Sequence, residues 1–265
     1  MTAVGAEADA LARALAAAIA GLRGRIDGFD LAAEDGWLLS TCPAVPHPPF
    51  TALLAYDPAA DGRLAAGLPA LLATFDRRGV APRLLLAHSV FPQTQSAART
   101  LGLSATERIP GMVVTAAETV PAPETGADIG RVGPEGPDLE AFARVAAAGF
   151  GLPIETAAVI CTPAVLSAPG VSFYLARTGA GPACCTVSMR TGDELGIYLV
   201  GTVPEQRRRG LAAAVVSRAL ADGFAAGAAL AYLQSSTMGY GVYRALGFRE
   251  VTQELRMSRP AAVSG

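Results

Sequence analysis

From Leu195 to Val203 the chain is almost continuously apolar, with β-branched and aromatic residues in the run. That pattern predicts a buried strand. Pro204 has no N–H to give and should end the ladder there. Downstream, Val216, Leu220 and Phe224 recur every four residues and predict a helix opened by the run Arg207 to Ala212. A second apolar strand is expected over Leu230 to Ser236, followed by a short amphipathic turn that closes on Tyr243 to Phe248.

The rest of the chain has a similar grammar. Leu11, Leu15, Ile19 and Leu22 share one helical face. Ile26 to Ala33 and Trp37 to Cys42 read as strands about an Asp35-Gly36 turn. A proline-rich loop, Pro43 to Pro49, leads to an apolar strand from Phe50 to Tyr56. A helix is predicted from about Gly62 to Arg78, then a strand from Arg83 to Val90, then a helix ending at Leu101-Gly102. Thr115 to Pro137 is rich in proline and glycine and reads as a linker, with Ala127 to Val132 as a candidate first strand of a second domain. Asp138 should cap a helix whose buried face is Leu139, Phe142, Val145 and Ala146. A further helical stretch covers Glu155 to Leu166. Val171 to Arg177 and Pro182 to Arg190 then form a strand pair reaching the central strand through a Thr191-Gly192-Asp193 turn.

The two halves match one another. Residues 98–103 (ARTLGL) align with residues 243–248 (YRALGF) at an offset of 145, Met112 and Met257 share that offset, and Pro58 and Pro204 each close an apolar strand. One repeat of this length implies a duplicated domain. We expect domains at 1–120 and 121–265.

Composition narrows the classes. Of 265 residues, 51% are hydrophobic but only 6% aromatic, so much of the apolar content is alanine. All 21 basic residues are arginine, which we attribute to coding bias, and the net charge of -2 argues against a nucleic-acid partner. Cys42, Cys161, Cys184 and Cys185 lack zinc spacing and a disulfide framework, pointing to a reduced, cytoplasmic protein. The Ala14–Ala20 run lacks a basic n-region and has Glu7 and Asp9 ahead of it, so an amphipathic helix is expected rather than a signal peptide. No membrane span is expected.

Strand, tight turn and helix N-terminus together make an anion site. Unpaired N–H groups and aligned peptide dipoles converge, and Gly210 permits close approach to backbone. Each charge-assisted bond to a phosphate would be worth about 1.5–3 kcal/mol. The run resembles the acyl-CoA motif of the GNAT superfamily of N-acetyltransferases, R/Q-x-x-G-x-G/A, with Arg207, Gly210 and Ala212 at its defining positions. Tyr243-Arg244-Ala245-Leu246-Gly247-Phe248 is similar to the family's Y-x-x-L-G-F. The resemblance implies an α/β (α+β) fold of two tandem GNAT-like domains, each a mixed, largely antiparallel sheet flanked by helices.

It also implies acetyl-CoA as co-substrate, no metal, and transfer of an acetyl group to an amine by direct attack. Arg208, Arg209, Gly210, Leu211, Ala212 and Ala213 would cradle the pyrophosphate. The backbone of Gly201, Thr202 and Val203 would hold pantetheine and polarise the carbonyl. Tyr243 would protonate the departing thiolate, from a phenol pKa of about 10; the competing reading is a core tyrosine between Val242 and Leu246. Ser236 stands where many relatives carry an asparagine near CoA.

Where many relatives place a glutamate base, Leu199 to Val203 has no acid; Asp193 and Glu194 at the strand's entrance read equally well as solvated turn residues. The first half has Ala59-Ala60-Asp61-Gly62-Arg63-Leu64 in place of the cradle, and Ala98 in place of Tyr243. Asp61 would repel a pyrophosphate, so that half should be a degenerate copy, with one binding site per chain. His47 and His88 fall in it and are expected to be structural or exposed. The expected partner is a small-molecule or peptide amine, not nucleic acid or membrane, with the chain a monomer or homodimer. A catalytically silent acyl-CoA-binding module is the alternative.

Overall fold

The computed structural model describes residues 3–22, 25–45, 50–88, 90–134 and 136–259. In chain order the elements are α1 (Ala3–Gly21), β1 (Asp30–Glu34), β2 (Trp37–Thr41), β3 (Ala52–Ala55), α2 (Asp61–Arg77), β4 (Arg83–Leu86), α3 (Pro92–Thr100) and β5 (Ser104–Val114). There follow β6 (Asp128–Arg131), α4 (Pro137–Phe150), α5 (Ile154–Ile160), α6 (Pro163–Leu166), β7 (Val171–Thr178), β8 (Gly181–Thr191) and β9 (Glu194–Thr202). The chain closes with α7 (Leu211–Ala225), β10 (Leu230–Gln234), α8 (Tyr240–Ala245) and β11 (Arg249–Ser258).

These elements gather into two compact units. The first comprises Met1–Gly24, Gly28–Gly111 and Val251–Gly265; the second comprises Arg25–Asp27 and Met112–Glu250. This division differs from the boundary expected at residue 120, since the last strand returns to the first unit. Its cause is pairing: Leu255 and Met257 of β11 stand opposite Leu86 and Leu84 of β4 in an antiparallel ladder.

In the first unit β1 to β3 pair antiparallel in sequence, β3 lies parallel to β4, and β11 flanks β4. The parallel step requires a crossover, which α2 supplies. Leu64, Leu68, Leu72 and Phe75 of α2 are buried against Leu53, Ala55, Leu84, Leu86, Leu255 and Met257. At about 1.5–3 kcal/mol each, these four side chains outweigh the roughly 3 kcal/mol that Pro69 costs inside the helix. Helix α1 buries Leu11, Leu15 and Ile19 at 1–2% exposure, the face its spacing predicts.

The second unit repeats the plan. Strands β6 to β9 are antiparallel neighbours, and β9 is parallel to β10. The crossover helix α7 buries Leu211, Val215, Val216, Ala219 and Leu220 against Tyr174, Cys184, Leu195, Ile197 and Leu233. Each unit is thus a mixed, largely antiparallel sheet flanked by helices, as expected.

Several local expectations change. Gly136 rather than Asp138 is the N-cap of α4, because Pro137 takes the first helical position and Asp138 the first turn. The stretch 155–166 is two helices, since Thr162 caps a new one through Val165 N–H at 3.2 Å. Strand β1 starts at Asp30, later than expected. The linker holds the strand expected within Ala127 to Val132, as β6, and adds a 3-10 turn at Ala116–Glu118. Strands β5 and β11 carry mixed polar residues, and no apolar alternation predicts them. No helix of the described residues is long and apolar enough to cross a membrane.

Candidate functional site

Strands β9 and β10 are paired over Glu194–Gly196 and Leu230–Tyr232. Two residues on, β9 is bulged: its register against β8 slips between Cys185 and Val187, and Leu199 takes φ 49°. A bulge re-aims the strand and frees it from regular pairing. Beyond it lies a cavity of about 870 Å³, contained within the second unit. Its walls are the C-terminal end of β9 (Val200, Thr202), the end of α4 (Ala148 to Gly151), the loop and first turn of α7, and Ser236 to Tyr243.

The backbone of the strand does not serve uniformly. Val203 N–H already donates to Ala183 O at 2.9 Å, which removes it as a donor to pantetheine. Because ladder N–H groups alternate between edges, Thr202 presents its own to the other side, and Thr202 lines the cavity. Gly201 is buried; a Cβ there would stand 3.0 Å from the Phe150 ring.

After β9 the chain makes a 3-10 turn at Pro204–Gln206, then a loop, and α7 begins at Leu211, four residues later than the Arg207 opening expected. The reason is conformational. Arg208 (φ 63°) and the N-cap Gly210 (φ 77°) are left-handed, so neither continues a right-handed helix. Left-handed backbone rather than ligand clearance is the first demand on Gly210, and a Cβ would also meet Thr125 Cγ2 at 3.2 Å. The first turn of α7, Leu211 to Ala213, carries N–H groups without helical partners and lines the cavity.

The three arginines differ in what they touch. Arg207 donates from Nε to Thr202 O at 3.3 Å and from Nη2 to Gly149 O at 3.0 Å. Arg209 bonds Gln206 Oε1. Arg208 lines the cavity, and among the described residues it has neither hydrogen bond nor ion pair.

Tyr243 lies on α8 and lines the cavity while being 8% exposed. Its ring packs edge-on against Phe248 at 5.9 Å. Burial, with the neighbouring Cys184, raises its pKa above the ordinary 10, so the reference value expected from sequence does not hold. Ser236 also lines the cavity, and its Oγ accepts from Gly239 N–H at 3.2 Å. Asp193 and Glu194 sit where β9 begins, remote in register from the bulge, and do not line the cavity.

The corresponding place in the first unit is built otherwise. A 3-10 turn at Pro58–Ala60 mirrors that at Pro204–Gln206, but α2 starts at the next residue, with no loop between. Asp61 is buried at 6%, and its carboxylate accepts Gln93 and Thr94 N–H at 3.0 and 2.8 Å. An internal anion therefore holds the N-terminus of α3. His88 is buried too; Asp9 lies 3.4 Å from Nε2 without hydrogen-bond geometry, and burial pulls the imidazole pKa below 6.5. His47 lies outside the described residues.

Of the expected cofactor residues, Thr202, Arg208, Gly210, Leu211, Ala212, Ala213 and Ser236 line the cavity together with Tyr243, whereas Gly201, Val203 and Arg209 do not. The sequence reading missed Gly149, Phe150, Met238 and Val242. The Gly149-Phe150-Gly151 run at a helix end was the available signal, because glycine there permits close packing. Among the described residues no group of His, Cys, Asp or Glu could hold a metal ion.

Residues 6–255 match the family described as "Probable histone acetyltransferase Rv0428c C-terminal". No curated protein matches the chain. Among solved structures, a GCN5-related N-acetyltransferase from Kribbella flavida superposes with TM-score 0.71 at 17% identity, covering 96% of each chain. One from Sphaerobacter thermophilus gives 0.59 at 18%, covering 88% of this chain and 76% of its own. A tandem GNAT protein from the clavulanic acid biosynthesis pathway gives 0.61 at 16%, covering 99% and 96%. The chain belongs to the Rv0428c C-terminal acetyltransferase family, and its fold is that of the GCN5-related N-acetyltransferases.

Proposed function

We propose that the protein is an N-acetyltransferase that moves the acetyl group of acetyl-CoA to a primary amine by direct attack. The reading rests on one observation: a single cavity gathers the bulged end of β9, the N-terminus of α7 with the uncommitted Arg208, and Tyr243. In this reading the first-turn N–H groups of α7 and Arg208 take the pyrophosphate. Thr202 pairs with pantetheine. The amine attacks the thioester carbonyl and its nitrogen loses a proton to water; as the C–S bond breaks Tyr243 donates a proton to the thiolate, and water reprotonates the tyrosinate, leaving amide and free CoA thiol. The acceptor is a small-molecule or peptide amine, and the family's description makes a lysine-bearing peptide a natural member of the test panel. Free cysteines, all four buried, accord with a reducing cytoplasmic location.

Burial and packing of Tyr243 on Phe248 favour a second reading, a silent acyl-CoA-binding module with a core tyrosine. Incubation with acetyl-CoA and a panel of amines and peptides, following free thiol, decides between them. The enzyme reading expects amine-dependent thiol release; CoA binding with no release from any amine is the outcome of the silent module.

A further inference from the structure

Helix α4 ends at Phe150, with Gly151 left-handed behind it (φ 64°). The last carbonyls of any helix lack partners within it and carry the negative end of its dipole. Here Ala147 O is taken by Gly151 and Leu152 N–H. Gly149 O is taken by the guanidinium of Arg207, 58 residues further on, at 3.0 Å. The same guanidinium reaches Thr202 O on β9 at 3.3 Å. A planar fork with fixed donors suits two carbonyls on different elements, which a single ammonium does not.

The crossing that it fastens is close. A Cβ on Gly149 would stand 3.0 Å from Gly201 Cα and 3.1 Å from Thr202 N. The next residue, Phe150, turns its ring over Gly201 and forms an apolar wall of the cavity while remaining 40% exposed. The motif arginine thus commits Nε and Nη2 to backbone carbonyls at the cavity's edge, while its neighbour Arg208, which also lines the cavity, has no protein partner among the described residues.

We propose that Arg207 is a positioning residue: it caps α4 onto the end of β9 and so sets the Phe150 wall of the substrate cleft, instead of holding donor phosphates. This rests on the cleft being the acetyl-CoA site. Three measurements on the full chain test it, with Arg208→Ala as the comparison. In the ligand-free protein, hydrogen exchange of the 150–152 amides should accelerate about tenfold in Arg207→Ala and stay unchanged in Arg208→Ala. By calorimetry with CoA, Arg208→Ala should lose more than about tenfold in affinity and Arg207→Ala less than about threefold.

With an amine taken from the panel above, Arg207→Ala should lower kcat/KM about tenfold or more, equally for acetyl-CoA and for S-acetylpantetheine, which lacks the pyrophosphate. The loss should lie mainly in the amine's KM, and Arg207→Lys should not restore it. A loss confined to acetyl-CoA, with unchanged exchange, would make Arg207 a phosphate ligand and overturn the proposal; so would full rescue by lysine. If Arg207→Ala does not fold, Arg207→Lys carries the same comparison. Absence of CoA binding in the wild type would sink the acetyltransferase reading, while the exchange measurement still tests the strap.

Discussion

At Tyr243 two demands meet in one side chain. Its ring belongs to the core, packed on Phe248, and it is the only tyrosine lining the cavity among the described residues. Burial favours the neutral form and raises the pKa, which keeps the proton in place at neutral pH but reduces the drive to give it up. Tyr243→Phe should therefore lower turnover about 10- to 100-fold, the low end for a general acid, with CoA affinity and melting temperature little changed. A mutant retaining most of its turnover would show a core tyrosine. Since the folded pKa lies above 10, Tyr243 should produce no alkaline loss of activity below pH 10, and a rate profile checks this. His88 shows the opposite sign. Its folded pKa is depressed, so it stabilises the fold above pH 6.5, and that stability is lost as pH falls through the folded value. Denaturant melts should show this loss in the wild type and a flatter profile in His88→Gln.

Among the elements, the two turns after β3 and β9 differ between the units. Both begin with proline and a 3-10 turn, but only the second inserts the loop Arg207–Gly210 before its helix. Gly210→Asp should cost left-handed strain and place a carboxylate at the helix N-terminus. CoA affinity should fall at least about 100-fold in a folded protein, and unchanged affinity by calorimetry would move the site elsewhere. In the first unit the N-terminus of α3 is satisfied from within by Asp61. Asp61→Ala should thus lower stability by about 1–2 kcal/mol in denaturant melts, as loss of a cap does, without changing CoA affinity.

For the whole molecule, the repeat predicts one acetyl-CoA per chain, since the first unit has neither loop nor tyrosine at the matching places. Calorimetric titration giving two equivalent sites would refute this. The return of β11 carries its own consequence. Leu255 and Met257 are 2% and 1% exposed in the core of the first unit. A chain stopped at residue 250 should lower the stability of that unit by several kcal/mol, about 1.5–3 for each lost side chain. Melting followed at Trp37, the chain's one tryptophan and a member of that core, reads it directly.

The order strand, helix, parallel strand, helix was legible because each element announces itself locally. Periodic apolar residues marked the buried faces of α1, α4 and α7, and the candidate anion cradle was proposed from glycine and arginine spacing next to a proline stop. What the pattern did not hold was anything decided by a partner distant in sequence. β5 and β11 carry mixed polar residues, and their strand character comes from the neighbours they pair with. The hydrogen bond from Val203 to Ala183 removed a donor that the sequence had offered to the ligand. Arg207 stands at the first position of the motif, yet its guanidinium reaches Gly149 O, 58 positions away, a contact no local pattern announces. Tyr243 kept its identity but not its pKa, because desolvation belongs to the packed interior. Local chemistry thus determined which groups were available, and tertiary packing decided which of them remained free to act, since a donor or a charge can be spent only once.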